Sequence, residues 1–135
     1  MQRPYDVVIV GGAVVGSAAA YFLAADPAFG GRVLIVERDL GYGRSATARS
    51  VASIRHQFST PENIRMSMFG TEFVRRAAAL LALPGEMPPD LGFHEGGYLF
   101  LAGAAGAATL AAHVALQRRE GAQVVLLDRD ALARR

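Results

Sequence analysis

Three glycines and one acid near the N terminus have the clearest chemical meaning in this sequence. Gly11, Gly12 and Gly16 lie within the run GGAVVG at residues 11–16, and Glu37 follows Gly11 by 26 residues. A glycine turn before a helix presents backbone N–H groups and the positive end of the helix dipole to a pyrophosphate. An acid at this distance accepts hydrogen bonds from ribose hydroxyls and repels a 2′-phosphate. The spacing therefore predicts a site for FAD or NAD rather than NADP.

The elements that must position these residues follow in the required order. The β-branched run 6–10 predicts a buried strand, and residues 13–25 predict a helix that ends at Asp26, before a proline. Residues 33–36 predict a second strand, which ends at Glu37. Strand, glycine turn, helix and strand make one βαβ unit with a right-handed crossover.

The glycine pattern has one departure, because Ala13 replaces the second glycine of the dinucleotide motif. A methyl group is tolerated at this position if the backbone keeps a negative φ. An ordinary βαβ turn that binds no ligand remains the alternative interpretation.

The middle of the chain predicts a long loop followed by a helix. Residues 38–59 have no sustained periodicity, and loops of this length inside compact domains are usually functional. Thr60, followed by a proline and an acid, predicts a helix with a hydroxyl cap. Apolar residues continue this helix from Ile64 to about Leu83, where prolines follow.

The C-terminal part predicts two strands around a helix. Residues 97–102 and 123–127 are apolar and predict strands, and residues 105–120 predict a helix that Gly121 ends. Asp130 is positioned to cap a further helix.

Composition excludes several classes of function. The chain has 135 residues, 52% of them hydrophobic, and its 14 basic and 12 acidic residues give a net charge of +2. These charges are spread along the sequence, so we expect no nucleic-acid partner. Cysteine is absent and the three histidines are far apart, so we expect no metal site and no thiol chemistry. The uncharged stretches 7–25 and 96–117 are interrupted by glycines, and we expect no membrane span and a cytoplasmic protein.

Several segments resemble the FAD-dependent oxidoreductases of the D-amino-acid oxidase superfamily. They are DVVIVGGAVVGSAAAYFLA, VLIVERD, SATARSVASIRHQFSTPENIRMS, EGGYLFLA and LLDRDAL. They are most similar to the branch of sarcosine oxidase and dimethylglycine dehydrogenase-like flavoproteins. The resemblance follows essentially the whole chain in order, and the segment of residues 45–67, called the serine-rich loop below, is more specific than the glycine motif.

The resemblance implies which residues contact the cofactor. The glycines would surround the FAD pyrophosphate, Glu37 would hold the adenosine ribose and Arg38 would lie near the adenine. For Ser45, Thr47 and Ser53, a turn hydroxyl bonded to its own backbone is an equal alternative to contact with the ribityl chain or flavin. The implied cofactor-binding residues are Gly11, Gly12, Ala13, Val14, Val15, Gly16, Glu37, Arg38, Ser45, Thr47, Ser53, Ile54 and Arg55.

Two residues of the loop are candidates for catalysis. Arg55 is either a cation beside the flavin or an acidic substrate, or an ordinary surface or helix-pairing arginine. His56 is either a proton carrier or flavin anchor, or a loop histidine whose hydrogen bonds are satisfied. His94, Glu95 and Asp128 have no partner that the sequence identifies.

The resemblance also implies the fold and the activity. The expected fold is α/β, with a Rossmann-like βαβ FAD-binding unit over residues 1–83 and the start of an α+β substrate domain over residues 84–135. The expected activity is oxidation of an amine or amino acid by hydride transfer to flavin, which oxygen or an electron carrier then reoxidises. We expect the chain to be an incomplete, N-terminal portion with little turnover alone. A non-catalytic dinucleotide-binding fragment and an NAD-dependent dehydrogenase fragment are the alternatives, and the sequence gives no oligomeric state.

Overall fold

The computed structural model describes residues 4–135, which divide into two compact units. The first unit ends at Ser53 and the second runs from Ile54 to Arg135. The two units are defined by contacts within each of them and not by function. The assignment of residues 1–83 and 84–135 to two functional domains therefore stays a prediction.

The first unit contains the predicted strand, helix and strand. Strand β1 is Val7–Val10, helix α1 is Val14–Ala25 and strand β2 is Val33–Val36. The two strands pair in parallel and in register along their whole length. The backbone N–H of Asp26 bonds back to the last turn of α1, so the helix ends at the residue before the proline, as predicted.

The small sheet has one open face. Ile9 points toward α1, where its Cγ2 lies 3.1 Å from the position that a Cβ on Gly16 would take. Alternate side chains of a strand point to opposite faces, and Val8 and Val10 are 55% and 86% exposed. The face of the sheet that bears Val8 and Val10 is therefore apolar and exposed in this structure.

The second unit is built mainly from helices. They are α2 (Pro61–Arg75), α3 (Ala77–Leu80), a 3₁₀ turn (Ala104–Gly106), α4 (Ala107–Arg119) and α5 (Arg129–Ala133). Its buried apolar residues, among those described, are Ile64, Ala77, Val114 and Ala122.

The helix predicted from Thr60 to about Leu83 is shorter and is divided in two. It starts where predicted, but the Thr60 hydroxyl makes no capping hydrogen bond. Arg76 has φ −98° and ψ 1°, which separates α2 from α3, and α3 ends before the prolines. Of the predicted apolar stripe, Ile64 and Ala77 are buried but Phe69 is 59% exposed.

The two segments predicted as C-terminal strands are not paired as strands, so this prediction is wrong. Residues 97–102 and 123–127 join no ladder among the described residues. A strand forms when its backbone pairs with the backbone of a neighbouring strand. In these two segments, side chains donate hydrogen bonds to backbone carbonyls instead. Gln57 Nε2 donates to a carbonyl of the first segment at 3.0 Å, and Arg118 Nε donates to one of the second at 3.0 Å.

The ends of the last two helices follow known capping geometry. Gly121 has φ +93° just after α4, which is the left-handed conformation predicted there. Helix α5 is capped by Asp128 rather than by Asp130, because Asp128 Oδ1 accepts from Ala131 N at 2.7 Å.

Within residues 4–135, none of the helices has both the length and the apolarity needed to cross a bilayer.

Candidate functional site

The turn between β1 and α1 has a geometry that only glycine fits at two positions. Gly11 has φ +101°, a conformation that side chains rarely adopt. A Cβ on Gly16 would lie 1.8 Å from the carbonyl oxygen of Gly11, deep inside van der Waals contact. The helix therefore starts in direct contact with the end of the strand, as the glycine spacing predicts.

Gly12 is buried, and side chains hold both of its backbone polar groups. Its N–H donates to Glu37 Oε2 at 2.7 Å, and its carbonyl accepts from the Ser17 hydroxyl. These two bonds tie the glycine turn to the end of β2 and to the first turn of α1.

The N terminus of α1 is open to an anion. Ala13, the N-cap residue, has φ −67°, which meets the condition under which its methyl group is tolerated. Among the described residues, no side chain caps this helix and no acid lies in its first turn. The first amides of a helix have no acceptor within the helix, and the dipole adds positive potential there. A diphosphate is the type of group that such an end binds.

Glu37 is oriented by backbone amides. Besides the bond from Gly12, its Oε1 accepts from Asp39 N at 2.9 Å. These hydrogen bonds, led by that from Gly12, lower the pKa of Glu37 below the ordinary glutamate value. The carboxylate is therefore an ionised acceptor at neutral pH, and its remaining lone pairs are available to ribose hydroxyls.

A cavity of about 360 Å³ adjoins this turn. It brings predicted residues of the glycine turn together with two hydroxyl residues of the long loop. The residues that line it are Gly12, Ala13, Val14, Ser17, Tyr42, Ser45, Thr47 and Ala48. Ser17, Tyr42 and Ala48 were not predicted. Ser17 is a small polar residue inside α1, and Tyr42 and Ala48 lie in a loop without periodicity, so no local pattern indicates that they meet the turn.

Other predicted cofactor residues of the first unit lie outside the lining of this cavity. Val15 is 80% exposed, and Arg38 and Ser53 are also exposed.

Ser45, which does line the cavity, forms a local turn, because its Oγ accepts from Ala48 N at 3.1 Å. This is the geometry of the turn-hydroxyl alternative, and the cofactor roles of these residues stay predictions.

Ile54, Arg55 and His56 belong to the second unit. The Arg55 guanidinium lies 4.8 Å from the ring centroid of Phe58 and 5.1 Å from that of another ring, Phe100. His56 Nε2 lies 2.8 Å from the hydroxyl of the buried Thr71. The His56 contact is that of a histidine with a satisfied hydrogen bond, whereas the Arg55 contacts are with two aromatic rings outside any helix. The catalytic roles of both residues stay predictions.

Glu95 has a partner that its sequence neighbours do not reveal. Arg75 binds its two carboxylate oxygens at 2.7 Å and 2.8 Å, and this pairing lowers the pKa of Glu95. Glu95 thus pairs with Arg75, and Asp128 caps α5, both within the second unit. Over residues 4–135, no group of three or more potential metal ligands comes together.

The chain is similar over most of its length to known flavoprotein sequences. The family described as FAD dependent oxidoreductase (DAO) matches residues 6–135. "FAD-dependent oxidoreductase domain-containing protein 1" from Bos taurus is 46% identical over 132 residues, which are 96% of this chain and 27% of the relative. The Xenopus laevis protein of the same name is 43% identical over 132 residues, 96% of this chain and 26% of the relative. The chain thus spans about a quarter of the length of these curated relatives. No solved structure matches it with significance.

Proposed function

Because the chain belongs to the DAO family of FAD dependent oxidoreductases, we propose that its first unit binds the ADP half of FAD at the glycine turn. The observation that carries this proposal is the cavity beside that turn, which is lined by an uncapped helix end and by loop hydroxyls. The Glu37 carboxylate binds the N–H of Gly12, one of the lining residues. The family is FAD-dependent, so FAD is the cofactor.

The residues present fit a dinucleotide. Gly11 permits the tight turn with its φ of +101°, and Gly16 brings α1 against β1, since a Cβ on Gly16 would overlap the carbonyl of Gly11. The amides that begin α1 would hold the diphosphate, and the lone pairs of Glu37 would accept from the ribose. The same carboxylate would repel a 2′-phosphate, which favours FAD over an NADP-type ligand.

For the whole protein, we propose oxidation of an amine or amino acid, as in the sarcosine oxidase and dimethylglycine dehydrogenase-like branch. When bound, FAD would supply the acceptor for a hydride from the C–H bond next to the substrate nitrogen. The substrate would become an imine that water hydrolyses, and oxygen or an electron carrier would reoxidise the reduced flavin. The similarity of the serine-rich loop supports this substrate class. The part of the protein described in this structure contributes cofactor binding.

FAD binding by the 135-residue chain tests the first proposal. Flavin fluorescence and thermal unfolding are followed during titration with FAD, NAD and NADP. At about 100 times its dissociation constant, FAD should stabilise the chain by about 2.7 kcal/mol, and Gly16→Ala should weaken binding. Gly70→Ala is the matched control, since a Cβ there meets nothing within 4 Å. Stabilisation by NAD and not by FAD would favour the dehydrogenase alternative, and no response to either dinucleotide would contradict the proposal.

The substrate proposal needs the longest protein that contains this chain. After purification with FAD, its flavin absorbance is recorded anaerobically with secondary amines, tertiary amines and amino acids, with 2-hydroxy acids as controls. Bleaching by amines or amino acids alone supports the proposal. Bleaching by hydroxy acids alone would assign a different substrate class.

A further inference from the structure

Tyr42 lies beside the glycine turn in a conformation that costs free energy. Its φ of 54° is in the left-handed region, which is unfavourable for an aromatic residue. Among the described residues, this φ falls on Tyr42 and on neither of its neighbours, Gly41 and Gly43, which would adopt it without strain. Hydrogen bonds hold the turn on both sides, from Tyr42 N to Asp39 O at 3.0 Å and from Ser45 N to Tyr42 O at 2.9 Å. Strain that is maintained in this way is typical of functional positions.

The strained backbone places the phenol at the candidate site. The Tyr42 hydroxyl oxygen lies 3.2 Å from the position that a Cβ on Gly12 would occupy, and Glu37 Cβ lies 3.3 Å from the same position. The phenol therefore stands next to the residues that would hold the diphosphate and the ribose. Tyr42 also lines the cavity and is 38% exposed as a residue.

We propose that Tyr42 is a positioning residue for the ADP half of the dinucleotide, with its hydroxyl donating a hydrogen bond to a ribose or diphosphate oxygen. A phenol is a donor that matches oxygen-rich ligands, and its ring forms a wall of the cavity. The inference rests on the proposed binding of FAD. Tyr42 belongs neither to the glycine motif nor to the acid position after β2, which is Glu37.

The test compares FAD and ADP binding by the 135-residue chain and its variants, by flavin fluorescence and by calorimetry. Tyr42→Phe removes only the hydroxyl and should weaken both ligands by about tenfold, the effect of losing one hydrogen bond to a polar or charged oxygen. Tyr5→Phe is the matched control, since Tyr5 is a 45% exposed tyrosine of the same unit that contacts Arg32 through its ring. Its affinity for both ligands should equal that of the wild type.

Tyr42→Asn separates binding from folding. Asparagine tolerates the left-handed conformation, so the melting temperature should stay unchanged or rise while affinity falls at least as far as in Tyr42→Phe. A variant that loses stability and affinity in proportion would show a merely structural role and overturn the inference.

The remaining outcomes distinguish the inference from the proposed function. If the wild type binds FAD and Tyr42→Phe binds it equally well, the inference alone fails. If Tyr42→Phe weakens FAD but not ADP, the hydroxyl acts at the flavin end and the inference also fails. If the wild type binds neither ligand, the proposed function and the inference fall together.

Discussion

Gly16→Ala is the substitution whose effect follows most directly from the geometry. A Cβ at this position would lie 1.8 Å from Gly11 O, which is 1.2 Å inside the 3.0 Å that real Cβ contacts keep. It would also lie 3.0 Å from Gly11 C and 3.1 Å from Ile9 Cγ2. The nearest atoms belong to backbone, so no change of rotamer relieves the overlap. Helix α1 must therefore move away from β1 to accommodate the methyl group.

Two opposing contributions determine how far Gly16→Ala changes the free energy of unfolding. Overpacking of a close contact costs about 1–3 kcal/mol, and a clash with backbone belongs at or above the upper end of that range. Alanine in place of glycine inside a helix contributes about 1 kcal/mol in the opposite direction. We expect a net loss of about 2 kcal/mol in the free energy of unfolding. With a urea m-value of about 2 kcal/mol/M, the unfolding midpoint falls by about 1 M.

Urea unfolding followed by far-ultraviolet circular dichroism measures this shift, and FAD titration measures its effect on the site. Gly70→Ala in α2 makes the same chemical change with nothing within 4 Å of the new Cβ. Its midpoint should therefore rise, by about 0.5 M from helix propensity alone. The reasoning is refuted if Gly16→Ala is as stable as the wild type, or if both variants shift the midpoint in the same direction.

Three further predictions concern titration and hydrogen bonding. Hydrogen bonds hold the pKa of Glu37 in the folded state below its pKa in the unfolded state. Glu37 therefore stabilises the fold at pH values above the unfolded-state pKa, and this contribution is lost as the pH falls through the folded-state pKa. Melting temperatures between about pH 5 and 3 should therefore fall less steeply in Glu37→Gln, and equal slopes would contradict this assignment. His56→Ala leaves the buried Thr71 hydroxyl without its 2.8 Å partner and should lower stability in urea by about 1 kcal/mol; no loss would show that another group replaces the imidazole. Glu95→Gln breaks an exposed pair with Arg75 and should change stability by less than about 1 kcal/mol, whereas a larger loss in the same assay would indicate a buried role.

Local patterns predicted the first unit well because its signals are short in range. Apolar runs, the glycines and the residue before Pro27 determine where β1, α1 and β2 begin and end. The second unit was predicted less well, since residues 97–102 have a strand-like sequence but join no ladder. Strand formation depends on a distant backbone partner, which composition and periodicity leave undetermined. Glu95 was missed for the same reason, because its partner Arg75 is 20 residues away.

The sequence by itself determined the chemistry that the glycine turn allows. The spacing of Gly11, Gly16 and Glu37 is sufficient to predict a strand, a tight turn, a helix end and an acid, because each depends on nearby residues. The tertiary structure decided which loop residues meet that turn. Tyr42 and Ser17 reach Gly12 through the chain's return after β2 and through the first turn of α1. Such contacts arise from three-dimensional packing, so a linear pattern of residue types does not encode them.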